Sequence, residues 1–243
     1  MIPFKQFRLM KILPLSYATD LRFINRGVKF LIFVVLMSGT SLRAEPITHL
    51  LVLGNSIAWH TPSAALGWGG NWGMAASKQE TDFAHVITSM LEKAQEGQRP
   101  VLYVKNVSDF EQNTSFDFDR LKFVEEFQPD AVIVFLGDNV KSNQSNANIF
   151  KGQYEKLLRT LVGNSKKNLY CVSTWWTNKK VDEEIFLACG AQGGRFVDIK
   201  NISKLPGMKA GQMYSNSGVA AHPSDAGMEA IAKNIVSAMK EQR

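Results

Sequence analysis

Five short apolar runs punctuate the chain: Thr48 to Leu53, Val101 to Val104, Ala131 to Leu136, Leu169 to Val172 and Phe196 to Ile199. They are continuous and rich in β-branched residues, the pattern of parallel strands covered on both faces. Between them the apolar spacing changes to that of helices, over Asp82 to Ala94, Phe118 to Phe127, Ile149 to Val162, Val181 to Cys189 and Asp225 to Met239. In the last of these, Met228, Ile231, Ile235 and Met239 recur at helical spacing and give one face to bury. Strictly alternating strands and helices predict a three-layer α/β/α sandwich around a five-stranded parallel sheet with right-handed crossovers.

The segment 1–44 has a different texture. Lys29 precedes an apolar run from Phe30 to Met37, followed by small polar residues and Ala44, the order of a secretory signal. The run is short for a bilayer span. We expect residues 1–44 to be a signal peptide cleaved after Ala44, with an uncleaved anchor as the alternative. The leader is long, and Met10 offers a second start. Residues 45–243 then form one domain, exported to the periplasm or the medium.

Removing the leader also changes the electrostatics. It holds seven basic residues and one acid, which accounts for the whole formal charge of +6. The pI near 9.3 therefore reports the leader, and no basic patch for nucleic acid is expected. Beyond the leader, only Lys166-Lys167 and Lys179-Lys180 adjoin, and they read as solvated turns. No membrane partner is expected once the signal is cleaved.

In an open parallel sheet, ligands bind beyond the carboxyl ends of the strands. The residues leaving those ends are Gly54-Asn55-Ser56-Ile57, Asn106-Val107-Ser108-Asp109, Gly137-Asp138-Asn139 and Trp175-Trp176, while His222-Pro223-Ser224-Asp225 opens the final helix. A serine needs a neighbouring base to become a nucleophile, and histidine titrates in the right range. Ser56 and His222 are the candidate pair.

Taken together, these blocks resemble those of the SGNH hydrolases, the GDSL-like esterases and lipases. Gly54-Asn55-Ser56-Ile57 is similar to the nucleophile block, with Asn55 where Asp is usual. Gly137-Asp138-Asn139 resembles the block that supplies an oxyanion-hole asparagine, and His222-Pro223 with Gly227 resembles the block of the histidine. The resemblance implies the flavodoxin-like sheet of that family and acyl transfer from an ester through Ser56 and His222. The oxyanion would be met by the Asn139 amide and the Ser56 N–H.

Two departures modify that expectation. Val219 stands where the family usually carries an acid, three residues before the histidine. A backbone carbonyl near Val219 or Ala220 could orient His222 instead, or a carboxylate from another loop. Asp225 has its own explanation as an acid in the first turn of a helix. The glycine block after the second strand is also absent, so a further oxyanion donor would come from the backbone around Ser108 and Asp109, or from Gly73.

Gly73 belongs to a loop with four glycines in seven residues, Gly67 to Gly73. All five tryptophans fall toward the same edge, and tryptophan faces suit the apolar faces of sugar rings. Asn55, Trp59, Trp72, Trp175 and Trp176 are the candidate substrate-binding residues, with two or three tryptophans roofing the core, and His60 as a possible lining residue. A carbohydrate or glycoside ester is the expected substrate. A lipid or thioester hydrolase and an inactive glycan-binding protein are the alternatives. No cluster has metal-ligand spacing and no phosphate loop is present, so neither metal nor cofactor is expected. Cys171 and Cys189 fall where a strand and the helix returning over it could bring them together, either as a disulfide or as two buried thiols.

Overall fold

The computed structural model describes residues 45–112, 115–141, 144–163 and 168–241. The expected signal peptide and Lys166-Lys167 lie outside these residues. Five parallel strands form one sheet: β1 (His49–Gly54), β2 (Val101–Asn106), β3 (Ala131–Phe135), β4 (Asn168–Val172) and β5 (Arg195–Val197), in the order β2-β1-β3-β4-β5. The helices are α1 (Phe83–Ala94), α2 (Phe123–Phe127), α3 (Gln144–Val162), α4 (Lys179–Ala191), α5 (Ser217–Ala220) and α6 (Asp225–Glu241), with short 3₁₀ turns between them.

Strand alternation sorts the core into two layers. Leu50, Val52, Ile133, Phe135, Tyr170 and Val172 pack with Phe83, Ile87 and Leu91 of α1 and with Met228, Ile231, Ile235 and Met239 of α6. Leu51, Leu53, Val132, Val134, Leu169 and Cys171 face Tyr154, Leu157, Leu158 and Leu161 of α3 and Val181, Ile185 and Cys189 of α4. The central strands β1 and β3 are buried almost throughout, which is why their runs are uninterrupted.

The sheet departs from expectation at β2. That strand is at the edge, and Val101 and Tyr103 are exposed rather than covered on both faces. Tyr103 is partly shielded by stacking on Phe123, ring centroids 4.8 Å apart. The expected helix Phe118 to Phe127 divides into a 3₁₀ turn, Phe118–Leu121, and the single short helix α2, which stops at Gln128 in the left-handed conformation. Asp82 is the cap of α1 and not its first residue, accepting from His85 N at 2.9 Å.

Cys171 and Cys189 form a disulfide with Cα atoms 6.1 Å apart, tying β4 to α4. Among the described residues, no helix is long and apolar enough to cross a membrane.

Candidate active site

β1 ends in a turn that only glycine can begin. A Cβ at Gly54 would lie 2.6 Å from that of Ala58 and 3.2 Å from Phe135 O. Asn55 then closes the turn, its Oδ1 accepting from Ile57 N at 3.0 Å and its carbonyl from Ala58 N and Trp59 N. Ser56, between them, is half-buried at the strand exit, and its own carbonyl is fixed by Met74 N at 2.9 Å.

His222 arrives from the opposite end of the chain. Asn216 caps the short helix α5 through Gly218 N and Val219 N, and His222 follows two residues past its end. The next turn is pinned by Ala210 N to His222 O at 3.0 Å and by Ser224 N to Met208 O at 2.9 Å. Gly227 permits that approach, since a Cβ there would meet Met208 O at 2.2 Å.

These two loops bring Ser56 Oγ to 2.8 Å from His222 Nε2. On the other side of the ring, His222 Nδ1 lies 2.7 Å from Gly218 O. A carbonyl can only accept, so Nδ1 carries the proton and Nε2 is left to accept from the serine hydroxyl. The orienting group is thus a backbone carbonyl, one residue earlier than the Val219–Ala220 region expected from sequence. Burial pushes the His222 imidazole down to about 4, opposed by the Gly218 carbonyl and reinforced by nearby His60. The ring is therefore neutral at pH 7, the form a general base requires.

Asp225 takes no part in this pair. Its carboxylate accepts from Ser77 N at 2.7 Å, Ser77 Oγ at 2.5 Å and Thr81 Oγ1 at 2.9 Å. Burial works against its charge, but these bonds hold the carboxyl below its ordinary range.

The oxyanion side needs more correction. The Gly73 N–H donates to Asp82 Oδ2 at 3.3 Å, and the residue is a glycine because a Cβ would lie 2.6 Å from Ile57 O. The Ser108 N–H donates to Asn106 Oδ1 at 2.8 Å. Neither N–H is available to a substrate. The Ser56 N–H makes no hydrogen bond among the described residues. Asn139 leaves β3, which pairs with β1 up to the Gly54–Phe135 register, so it stands on the strand exit beside that of Ser56. One N–H of its side chain is taken by Glu111 Oε2, and the other has no partner among the described residues.

Asn55 is fully buried and lines no substrate surface. Its Nδ2 donates to Glu111 Oε1 and to Asp138 Oδ2, each at 3.2 Å. Asp138 Oδ1 accepts from Trp175 N at 2.7 Å and Trp176 N at 3.1 Å. Burial and the neighbouring Glu111 charge push the Asp138 carboxyl up to about 7, and burial also raises Glu111. Glu111 was not among the sequence candidates. The readable signal was its spacing, since Val107, Phe110 and Glu111 stand at i, i+3 and i+4 and all three are buried.

The tryptophans divide. Trp175 is fully buried with its indole N–H on Ala221 O at 3.0 Å, so it belongs to the core and not to a substrate surface; Trp68 is likewise buried. Trp59, Trp72 and Trp176 are half-buried. Trp176 stands edge-on to the His222 ring, centroids 5.0 Å apart. Among the described residues, no group of His, Cys, Asp and Glu is arranged to hold a metal ion.

The fold and strand order define the class: this is the SGNH hydrolase fold of the GDSL-like esterases and lipases. No family model matches the chain and no curated protein sequence matches it. Solved structures do. A psychrotrophic esterase, EstA, from Pseudoalteromonas sp. aligns at 14% identity over 80% of this chain and 98% of that one, with a TM-score of 0.56. A two-domain esterase (CEX) active on acetylated mannans aligns at 16% identity over 80% of this chain, with a TM-score of 0.51, and this chain spans about half of it, 48%. A protein described as a GDSL-like lipase, from Bacteroides uniformis, aligns at 13% identity over 80% of this chain and 96% of that one, TM-score 0.51.

Proposed function

We propose that the protein is an exported serine ester hydrolase that removes acyl groups from a carbohydrate or glycoside ester. The observation that carries the reading is the Ser56–His222–Gly218 relay, with Oγ 2.8 Å from Nε2 and Nδ1 2.7 Å from a carbonyl. Ser56 Oγ attacks the ester carbonyl as its proton passes to His222 Nε2, and the tetrahedral oxyanion is met by the Ser56 N–H and the free Asn139 N–H. Collapse expels the alcohol, which takes the proton back from Nε2. Water, deprotonated by the same nitrogen, then releases the acid and regenerates Ser56.

Gly218 O orients the imidazole without charge, so the pair acts as a dyad. The carbohydrate part rests on Trp59, Trp72 and Trp176, which are half-buried on loops leaving the strand ends, and accords with a neighbour of this fold that acts on acetylated mannans. Export rests on the texture of residues 1–44 and accords with the Cys171–Cys189 disulfide, a bond of oxidising compartments.

The test is a panel of acetylated sugars and p-nitrophenyl esters of increasing chain length. Hydrolysis of acetyl esters, falling with chain length, is expected. A preference for long chains transfers the assignment to lipid esters, and no hydrolysis at all overturns the enzyme. Mass analysis of the native protein should find a start at or near Glu45; an intact Met1 in the cytosol removes export.

A further inference from the structure

We propose that Glu111 is a positioning residue that holds the Asn139 amide in the arrangement that ester hydrolysis uses. This rests on the hydrolase reading above and adds to it a residue outside the Ser56–His222 pair.

The geometry around Glu111 is built entirely of donors. Oε1 accepts from Gly137 N at 2.5 Å, Asn55 Nδ2 at 3.2 Å and Asn139 N at 3.4 Å, and Oε2 accepts from Asn139 Nδ2. Among the described residues four N–H groups and no acceptor hydrogen-bond to it, the environment of a carboxylate, whose hydrogen bonds are about twice as strong as neutral ones. The residue is buried, so these bonds are little weakened by water.

The partners lie on the exits of β1 and β3. One carboxylate on the β2 exit therefore ties the turn of Ser56 to the loop of Asn139. Asn139 has two side-chain N–H bonds, and Glu111 takes one. An anion on that hydrogen fixes the plane of the amide and directs the other hydrogen, while Asn139 itself is exposed at the open edge.

The same network explains the amide at position 55. Asn55 Nδ2 gives one hydrogen to Glu111 and one to Asp138. An aspartate at this position would remove both donors and set a third carboxyl against two others.

The test is a kinetic cycle of wild type, Glu111→Gln, Asn139→Ala and the double variant. Glutamine keeps the size and one acceptor oxygen but turns an NH₂ against the Asn139 amide. Glu111→Gln should lower kcat about 100-fold, the order expected for losing an oxyanion donor, with KM within about threefold. In the Asn139→Ala background the same change should cost less than about threefold, since the two residues act as one unit. An equal loss in both backgrounds overturns the proposal. An activity-free readout is the Asn139 side-chain NH₂ pair in an NMR spectrum of the wild type, assigned through Asn139→Ala. One proton shifted well downfield of its partner is expected; two protons at ordinary solvent-exposed positions overturn the proposal even if Glu111→Gln does not fold. A wild type that hydrolyses no ester overturns the hydrolase reading alone, because the amide resonance reads the Glu111 contact without turnover.

Discussion

The two sides of Ser56 are held by opposite kinds of chemistry. On one side, His222 is oriented by the neutral Gly218 carbonyl, and among the described residues no carboxyl group bonds to its ring. On the other, Asn55 and Asn139 are anchored by two buried carboxyl groups, Glu111 and Asp138. A carbonyl suffices for the imidazole because its task is geometric: it selects one tautomer and one ring plane. Each amide N–H on the asparagine side also needs an acceptor, and a carboxylate holds it more firmly than a neutral carbonyl does. The chain lacks the orienting acid where Val219 stands, yet it keeps acids beneath the opposite wall.

The largest effect should fall on the pair itself. Ser56→Ala and His222→Ala should each lower kcat for a short-chain ester by roughly 10⁶-fold, the scale seen when a serine nucleophile or its base is removed. The double variant should be little worse than either single one. An active Ser56→Ala enzyme ends the hydrolase reading and leaves the comparison without a centre.

The disulfide tests the acid side. A β4–α4 bridge closing a loop of this size contributes about 3 kcal/mol, so Cys171→Ser with Cys189→Ser should lower Tm by about 6–12 °C. Val181 and Ile185 of α4 pack where a Cβ on Gly137 would reach, and Asn178, the cap of α4, donates to Val140 O at 3.2 Å. The loss should therefore loosen the Asn139 loop and lower kcat several-fold while leaving the Ser56–His222 contact intact. A Tm unchanged within about 2 °C would show the bridge to be inert.

The pH profile tests the histidine side. A base acts when neutral, and His222 is pushed down to about 4 by burial, so its active form persists further into acid than an ordinary histidine allows. The acid limb of kcat/KM should fall near pH 4 to 5 and not near 6.5. The same shift makes the unfolded chain bind a proton that the folded one refuses, so stability also declines as pH falls from 6.5 toward 4. An acid limb at 6.5 or above contradicts the desolvated, carbonyl-held imidazole.

What could be read from sequence follows the same division. β1 and β3 were legible because both their faces are buried, so hydrophobicity marks every position; β2 was misread as covered because an edge strand with Val101 and Tyr103 looks the same in composition. The contact of Ser56 with His222 was legible because both sit in short local blocks at strand and helix ends. Gly73 and Ser108 were misassigned because the use of a backbone N–H depends on which side chain reaches it, here Asp82 and Asn106. Asn55 and Glu111 are 56 residues apart, and the spacing of Glu111 from Val107 and Phe110 marks a buried position without naming the partner it meets.

The smallest effect should come from Asp225, and its smallness sharpens the comparison most. If the histidine side is neutral throughout, Asp225→Asn should leave kcat within a few-fold of wild type. A triad acid would instead cost about 10⁴-fold, because the imidazole would lose its tautomer. The carboxylate does bind Ser77 and Thr81, joining the segment before α1 to the first turn of α6. The variant should therefore lose about 1–2 kcal/mol of stability from weakened charge-assisted bonds. Because the Asp225 carboxyl is held below its ordinary range, that contribution is present above pH about 4 and disappears as pH falls through the folded value. Wild type and Asp225→Asn should then differ in denaturant midpoint at pH 7 and converge as pH falls through the folded value. A large loss of kcat with unchanged stability would reverse the assignment and place a charge behind His222 after all.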